Sequence, residues 1–138
     1  MITVNIDTTE NNYENYSGNF ENIDMIRNII YKNNIFVDCC GTIKLDNSDA
    51  ILWIAAVKEF GVYLGYNGDI QRLSYNESGC LDKVVDVWGD GLYISEALFV
   101  LPQIAWNAIC EFVEKGTLHN EIKWIECSKV LEEGNYIL

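Results

Sequence analysis

Four carboxylates in one short stretch, Asp82, Asp86, Asp90 and Glu96, surround Trp88 and Tyr93, and they are the residues of this chain best spaced for chemistry. Paired carboxylates can work as general acid and base or hold Mg²⁺. Asp82 and Asp86 share parity on an extended chain, as Asp86 and Asp90 would if the strand ran on, but Gly89 interrupts it. A solvated polar face of a sheet is the ordinary explanation for such a ladder; a protein-binding face ranks second and an active site third. His119 is the sole histidine. It could join Cys110 or Cys127 around zinc, but the spacing matches no zinc pattern and four ligands are not in view. A surface-loop histidine just past a helix end is the better expectation. A cysteine nucleophile would need a base, and His119 is again the one conventional candidate. The glycines of GDG and YNG suit turns, and no glycine-rich phosphate loop is present. No cofactor is expected.

The totals bound the rest. At 138 residues the chain is expected to be a single domain, residues 1–138, large enough for its own core. Nine basic residues against 21 acidic ones leave a net charge of −12. That makes nucleic acid a poor partner, because phosphate binding depends on Lys and Arg. An anionic membrane surface is disfavoured for the same reason, and a basic protein is the natural complement. The start, MITVNIDTTE, lacks the basic and apolar regions of a secretory signal, so a cytoplasmic location is expected. The five cysteines, Cys39, Cys40, Cys80, Cys110 and Cys127, contain no C-x-x-C pair and read as reduced thiols, several in the core.

The elements that must position these residues can be read in order. Residues 2–7 (ITVNID) alternate with the two-residue period of a half-buried strand, and residues 8–19 read as a polar loop. Asn19 or Asn22 can cap a helix whose apolar stripe holds Phe20, Ile23, Ile26, Ile29 and Ile30, with Asn33 and Asn34 as its stop. Residues 35–45 are β-prone, with a bulge or bend expected at Gly41. The apolar run 50–58 predicts a central strand covered on both faces. After a turn at residues 59–61, segments 62–66 and 70–75 form a hairpin through Asn67-Gly68-Asp69, where a primed turn with positive φ is expected. Residues 84–88 make another strand, Gly89-Asp90-Gly91 a turn, and residues 92–101 an extended continuation.

Pro102 opens a second helix and Gly116 ends it. Leu101, Ala105, Ala108, Ile109 and Phe112 share its apolar face. Residues 122–127 (IKWIEC) read as a last strand. Trp53 and Trp124 are expected in the core, Trp88 and Trp106 partly exposed. The expected class is α+β, an antiparallel or mixed sheet of about five to seven strands backed by two main helices.

Residues 50–126 also carry a resemblance. The hairpin VYLGYNG, the segment LFVLPQIAWNAICEFVEKG and the strand with Ile122 and Trp124 are similar to immunity protein family 1 of bacterial polymorphic-toxin and contact-dependent growth inhibition systems. Leu101-Pro102, Ala108, Glu111-Phe112, Gly116 and Trp124 sit at the matching places; where a second proline is common after the glycine, this chain has Leu118-His119-Asn120. The resemblance implies a non-catalytic inhibitor that binds a cognate toxin C-terminal domain, a basic nuclease or deaminase. Its contacts are expected on acidic and aromatic groups outside the helix–strand core: Asp69, Glu77, Asp82, Asp86, Trp88, Asp90, Tyr93 and Glu96. The rival expectation is a small-ligand module or carboxylate enzyme around Trp88.

Overall fold

The computed structural model describes residues 1–8, 14–87, 92–127 and 130. Its strands are β1 (Ile2–Thr8), β2 (Glu14–Phe20), β3 (Asp38–Leu45), β4 (Ile51–Val57), β5 (Gly61–Asn67), β6 (Gln71–Leu73), β7 (Val84–Val87), β8 (Leu92–Ser95), β9 (Phe99–Val100) and β10 (Ile125–Glu126). Two helices, α1 (Ile23–Lys32) and α2 (Pro102–Lys115), complete an α+β fold. The main sheet is antiparallel in every pairing and runs β10-β6-β5-β4-β3-β1-β2, with β9 also on β5; β7 and β8 form a separate hairpin.

Side-chain parity sorts the sheet into two faces. Ile2, Val4 and Ile6 of β1, Leu52, Ile54 and Ala56 of β4, and Val62, Leu64 and Tyr66 of β5 meet the helices on one face. α1 and α2 contribute Ile26, Ile30, Ala105, Ala108, Ile109 and Phe112 to that core. On the other face, Ala55, Tyr63 and Leu73 meet Val85, Val87 and Ile94 of the hairpin. Strand β4 is therefore covered on both sides, as its unbroken apolar run requires.

The local punctuation follows the side chains. Asn22 caps α1 by accepting from the Met25 N–H at 3.2 Å, and Asn34 takes the left-handed conformation (φ 51°) just past its end. Gly116 closes α2 at φ 69°. Gly61 starts β5 at φ 110°, and a Cβ there would collide with the Val100 carbonyl oxygen, so only glycine lets β9 approach.

Several expectations change. Residues 14–20 are strand β2, which takes the end of the expected loop and also Phe20, expected on the helix stripe: Tyr16 and Phe20 pack against the core, and the alternate side chains pair with β1. Asn15 donates to Asn5 and Asp7 at 2.8 and 2.7 Å, and Thr3 to Asn19 at 2.8 Å. Gly41 makes no bulge; the β1–β3 register runs through it unbroken, and a side chain would strike the Asn5 carbonyl. The hairpin after β5 forms, but among the described residues Asn34 is the one non-glycine with positive φ, so its turn is not of the primed type. A single 3₁₀ turn (Glu96–Leu98) interrupts the stretch after β8, and the last strand shrinks to β10.

Leu101, the residue before α2, is 67% exposed and not on the core face. Trp106 is 4% exposed because α1 lies over it, with the Tyr31 ring edge-on at 5.7 Å and the Arg27 guanidinium 5.4 Å from its centroid. Trp53 and Trp124 are half-buried and pack against the two cores from their margins.

The far edge of β5 is shared by β9, opposite Val62 and Tyr63, and β6, opposite Gly65 to Asn67. Ser74, fully buried, fills the gap between them: its hydroxyl accepts from the Leu64 N–H at 3.0 Å and donates to the Leu98 carbonyl at 2.6 Å. Ser74→Ala would orphan both backbone groups, and an orphaned buried group costs about 1–3 kcal/mol. Urea unfolding should show a loss of that size; a loss below about 0.5 kcal/mol would mean that the junction does not depend on the serine.

Candidate functional site

The β7–β8 hairpin presents its chemistry by alternation. Val85 and Val87 point into the core with Ile94, so Val84, Asp86 and Tyr93 point outward. Asp86 stands directly opposite Tyr93 in register. Val84 and Tyr93 are 46% and 37% exposed. The hairpin is fastened at its base, where the Ser95 hydroxyl donates to the Leu81 carbonyl at 2.7 Å and the Glu96 N–H to the Lys83 carbonyl at 2.7 Å.

The other anticipated residues are dispersed. Asp82 is exposed in the approach to β7, before the strand begins, and Glu96 is half-buried beyond β8. Asp69 accepts from its neighbour Ile70 N–H at 3.0 Å and from the Tyr66 hydroxyl at 3.3 Å, at the β5–β6 turn. Glu77 forms an ion pair with Lys123 beside a groove of about 460 Å³ near Leu101 and Ile104. Trp88 and Asp90 lie outside the described residues. The structure thus brings together Asp86 and Tyr93 and separates Asp69 and Glu77 from them.

Three residues not anticipated join this face. A groove of about 350 Å³ between the β4–β5 turn and β7 is lined by Asp38, Glu59, Phe60 and Asp86. The turn is closed by the Phe60 N–H donating to the Val57 carbonyl at 2.9 Å, which leaves Glu59 and Phe60 in solvent. Phe60 is 39% exposed, its ring resting on Phe99 at 6.0 Å. An aromatic residue inside a predicted turn (KEFG) was the available signal. Asp38 carried none, being one polar residue at the start of a strand.

No protein-family model matches this chain, and no curated protein and no solved structure matches it either. The site is therefore read from its chemistry. Among the described residues, no three His, Cys, Asp or Glu side chains are placed to hold a metal ion. The cysteines are free thiols, and burial pushes those of Cys39, Cys110 and Cys127 up, away from the reactive thiolate.

His119 is not the loose surface histidine expected. Its side chain is mostly covered, with Nδ1 3.1 Å from Glu111 and Nε2 2.8 Å from Glu121. Both ring nitrogens face carboxylates, an arrangement that suits the doubly protonated imidazolium, which has two N–H donors. Thr117 also donates to Glu111 at 2.8 Å and Asn107 to Glu121 at 3.4 Å, while the Trp124 indole donates to the His119 carbonyl at 2.9 Å. The result is a clasp holding the loop after α2 against the helix.

This clasp titrates. The hydrogen bond to Glu121 and then that to Glu111 raise the His119 pKa, burial opposing them; bonding to His119 lowers those of both glutamates. A raised imidazole pKa gives stability that is complete below the unfolded value of about 6.5 and lost as pH rises through the folded one. The lowered carboxylates give stability that is complete above about 4.3 and lost as pH falls through their folded values. The stability advantage of the native chain over His119→Gln should therefore peak between about pH 4.5 and 6.5 and shrink toward pH 9. A difference independent of pH in urea melts would show that the ion pairs contribute nothing.

Proposed function

We propose that this chain is an immunity protein that binds a cognate bacterial toxin domain in the cytoplasm and neutralises it by occlusion, without catalysis. The observation that carries this reading is the outward face of the β7–β8 hairpin, where Asp86, Tyr93 and Val84 stand exposed on a chain of net charge −12. Acidic groups interleaved with exposed aromatic and apolar ones favour fast, steered capture of a basic protein. Toxins that work on nucleic acid, nucleases and deaminases among them, need basic surfaces to hold phosphate, and an acidic inhibitor competes for those surfaces. The immunity-family resemblance supports the same reading; of the residues that carry it, Ala108 and Phe112 lie in the domain core, on the helix bounded by Pro102 and Gly116. Among the described residues, no helix is long and apolar enough to cross a membrane.

The test is to sequence the genes beside this chain for a toxin with a separate C-terminal domain, co-express that domain with the chain, and follow co-purification and rescue of growth. Rescue with a stable complex is the expected result; a chain that neither binds nor rescues removes the proposal. In binding kinetics, Asp86→Lys should slow association about tenfold at low salt, with the gap closing as salt rises. An unchanged association rate at low salt would take the hairpin out of the interface.

A further inference from the structure

We infer that His119 and Glu121 form a pH-operated latch at the lip of the groove beside Leu101 and Ile104. With His119 doubly protonated the latch is closed. Loss of one proton releases Glu121 and loosens the turn 119–122, while Glu111 keeps its bond. The latch is independent of the immunity reading.

The geometry sets the order of events. The imidazole is 16% exposed, and each of its nitrogens meets a carboxylate, Glu111 from α2 at 3.1 Å and Glu121 from its own turn at 2.8 Å. An imidazolium donates at both places, whereas the neutral ring has one donor and one acceptor. Once a proton leaves, a nitrogen lone pair faces a carboxylate oxygen, and one of the two contacts must open. Glu111 is the fixed partner: its side chain is 23% exposed, and its second oxygen accepts from Thr117 at 2.8 Å. Glu121 is 53% exposed, and its other bond, from Asn107, is long at 3.4 Å. It is the one free to swing into water. The remaining proton therefore stays on Nδ1, toward Glu111, and Nε2 is left bare.

The turn and the groove both feel this step. The His119 carbonyl anchors the turn, accepting from the Ile122 N–H at 3.3 Å and from the Trp124 indole at 2.9 Å. Glu121 lines the groove of about 460 Å³ together with Val100, Leu101 and Ile104. Its charge is balanced by the imidazolium when the latch is closed and stands uncompensated when it opens. The nearby cations are engaged elsewhere: Lys123, on the same groove, pairs with Glu77, and Lys115 acts on Glu111 from one turn further along α2. The bond to Glu121 and then that to Glu111 raise the His119 pKa against the effect of burial. The latch is thus closed at the ordinary imidazole value of about 6.5 and opens as pH rises through the higher folded one.

His119 is the sole histidine, so its ring nitrogens can be followed by NMR in the ¹⁵N-labelled full chain without ambiguity. On raising the pH from about 5 to 9, the expected course is a doubly protonated ring, a midpoint above about 6.5, and a neutral ring protonated on Nδ1. The Ile122 amide and the Trp124 indole should lose protection from hydrogen exchange with the same midpoint, after correction for the intrinsic rate. Glu121→Gln, which keeps the side chain's size and removes its charge, should lower the midpoint. His119→Gln should abolish the pH dependence of the protection. A neutral ring protonated on Nε2, protection that stays constant through the midpoint, or a midpoint unmoved by Glu121→Gln would overturn the inference. The tautomer and the protection are read on the native chain, so they decide the matter whether or not a variant folds.

Discussion

Strand β5 is the constraint on which the rest of this fold depends. Its residues 62–66 are buried on both faces, so none of its backbone groups can turn to water. One edge is satisfied by β4 along the full strand. The other has no single partner long enough and is divided between β9 and β6, with a serine hydroxyl bridging the break. Each part of this solution imposes something on the chain. The connection from β6 to β9 must leave the sheet and return, and the excursion contains the β7–β8 hairpin. The hairpin lies over the face of β5 that carries Tyr63, where it completes the second core. The acidic face is thus a by-product of covering β5.

That origin separates stability from recognition within one short hairpin. Val85, Val87 and Ile94 face inward and hold the sheet; Val84 and Tyr93 face outward and belong to neither core, and Asp86 stands opposite Tyr93 on the same side. Substitution outward leaves the packing intact, so a binding surface can change while the fold persists. On the helix face the opposite applies, because α1 and α2 seal it with large side chains, Trp106 included.

How much of this was legible in the sequence depended on whether a residue's neighbours were local. The alternation of Ile2, Val4 and Ile6 was readable because one face of β1 is buried and the other wet. Strand β2 was not, since Gly18 breaks the inward row between Tyr16 and Phe20, and Asn15 and Asn19 on the outward side are held by cross-strand side-chain bonds that no single segment displays. Pro102 and Gly116 marked α2 by backbone chemistry alone, yet the helical wheel misplaced Leu101, which precedes the first turn and does not share the helix's geometry. Trp106 sits at the border of the apolar stripe and is buried only because α1 crosses it, a tertiary fact. The pairing of Asp86 with Tyr93 was within reach of sequence reasoning, as both lie close to the Gly89-Asp90-Gly91 turn expected there, which itself falls outside the described residues. Asp38, Glu59 and Phe60 were not, because they reach the same groove from β3 and from the β4–β5 turn, far away along the chain.

On the proposed reading of this face, charge and exposed apolar groups would supply different parts of recognition, and neither would suffice alone. A field from 21 carboxylates speeds encounter with any basic surface and cannot tell one from another. Exposed carboxylates at a rim act mainly on the association rate and are screened by salt. Discrimination among basic partners must come from contacts that are desolvated on binding, which act on the dissociation rate. On this surface the residues able to desolvate a partner are Phe60, Val84 and Tyr93, the exposed apolar groups that border Asp86. Their exposure leaves apolar area uncovered beside Asp86, so a basic protein docking as proposed would meet apolar and acidic groups at one place.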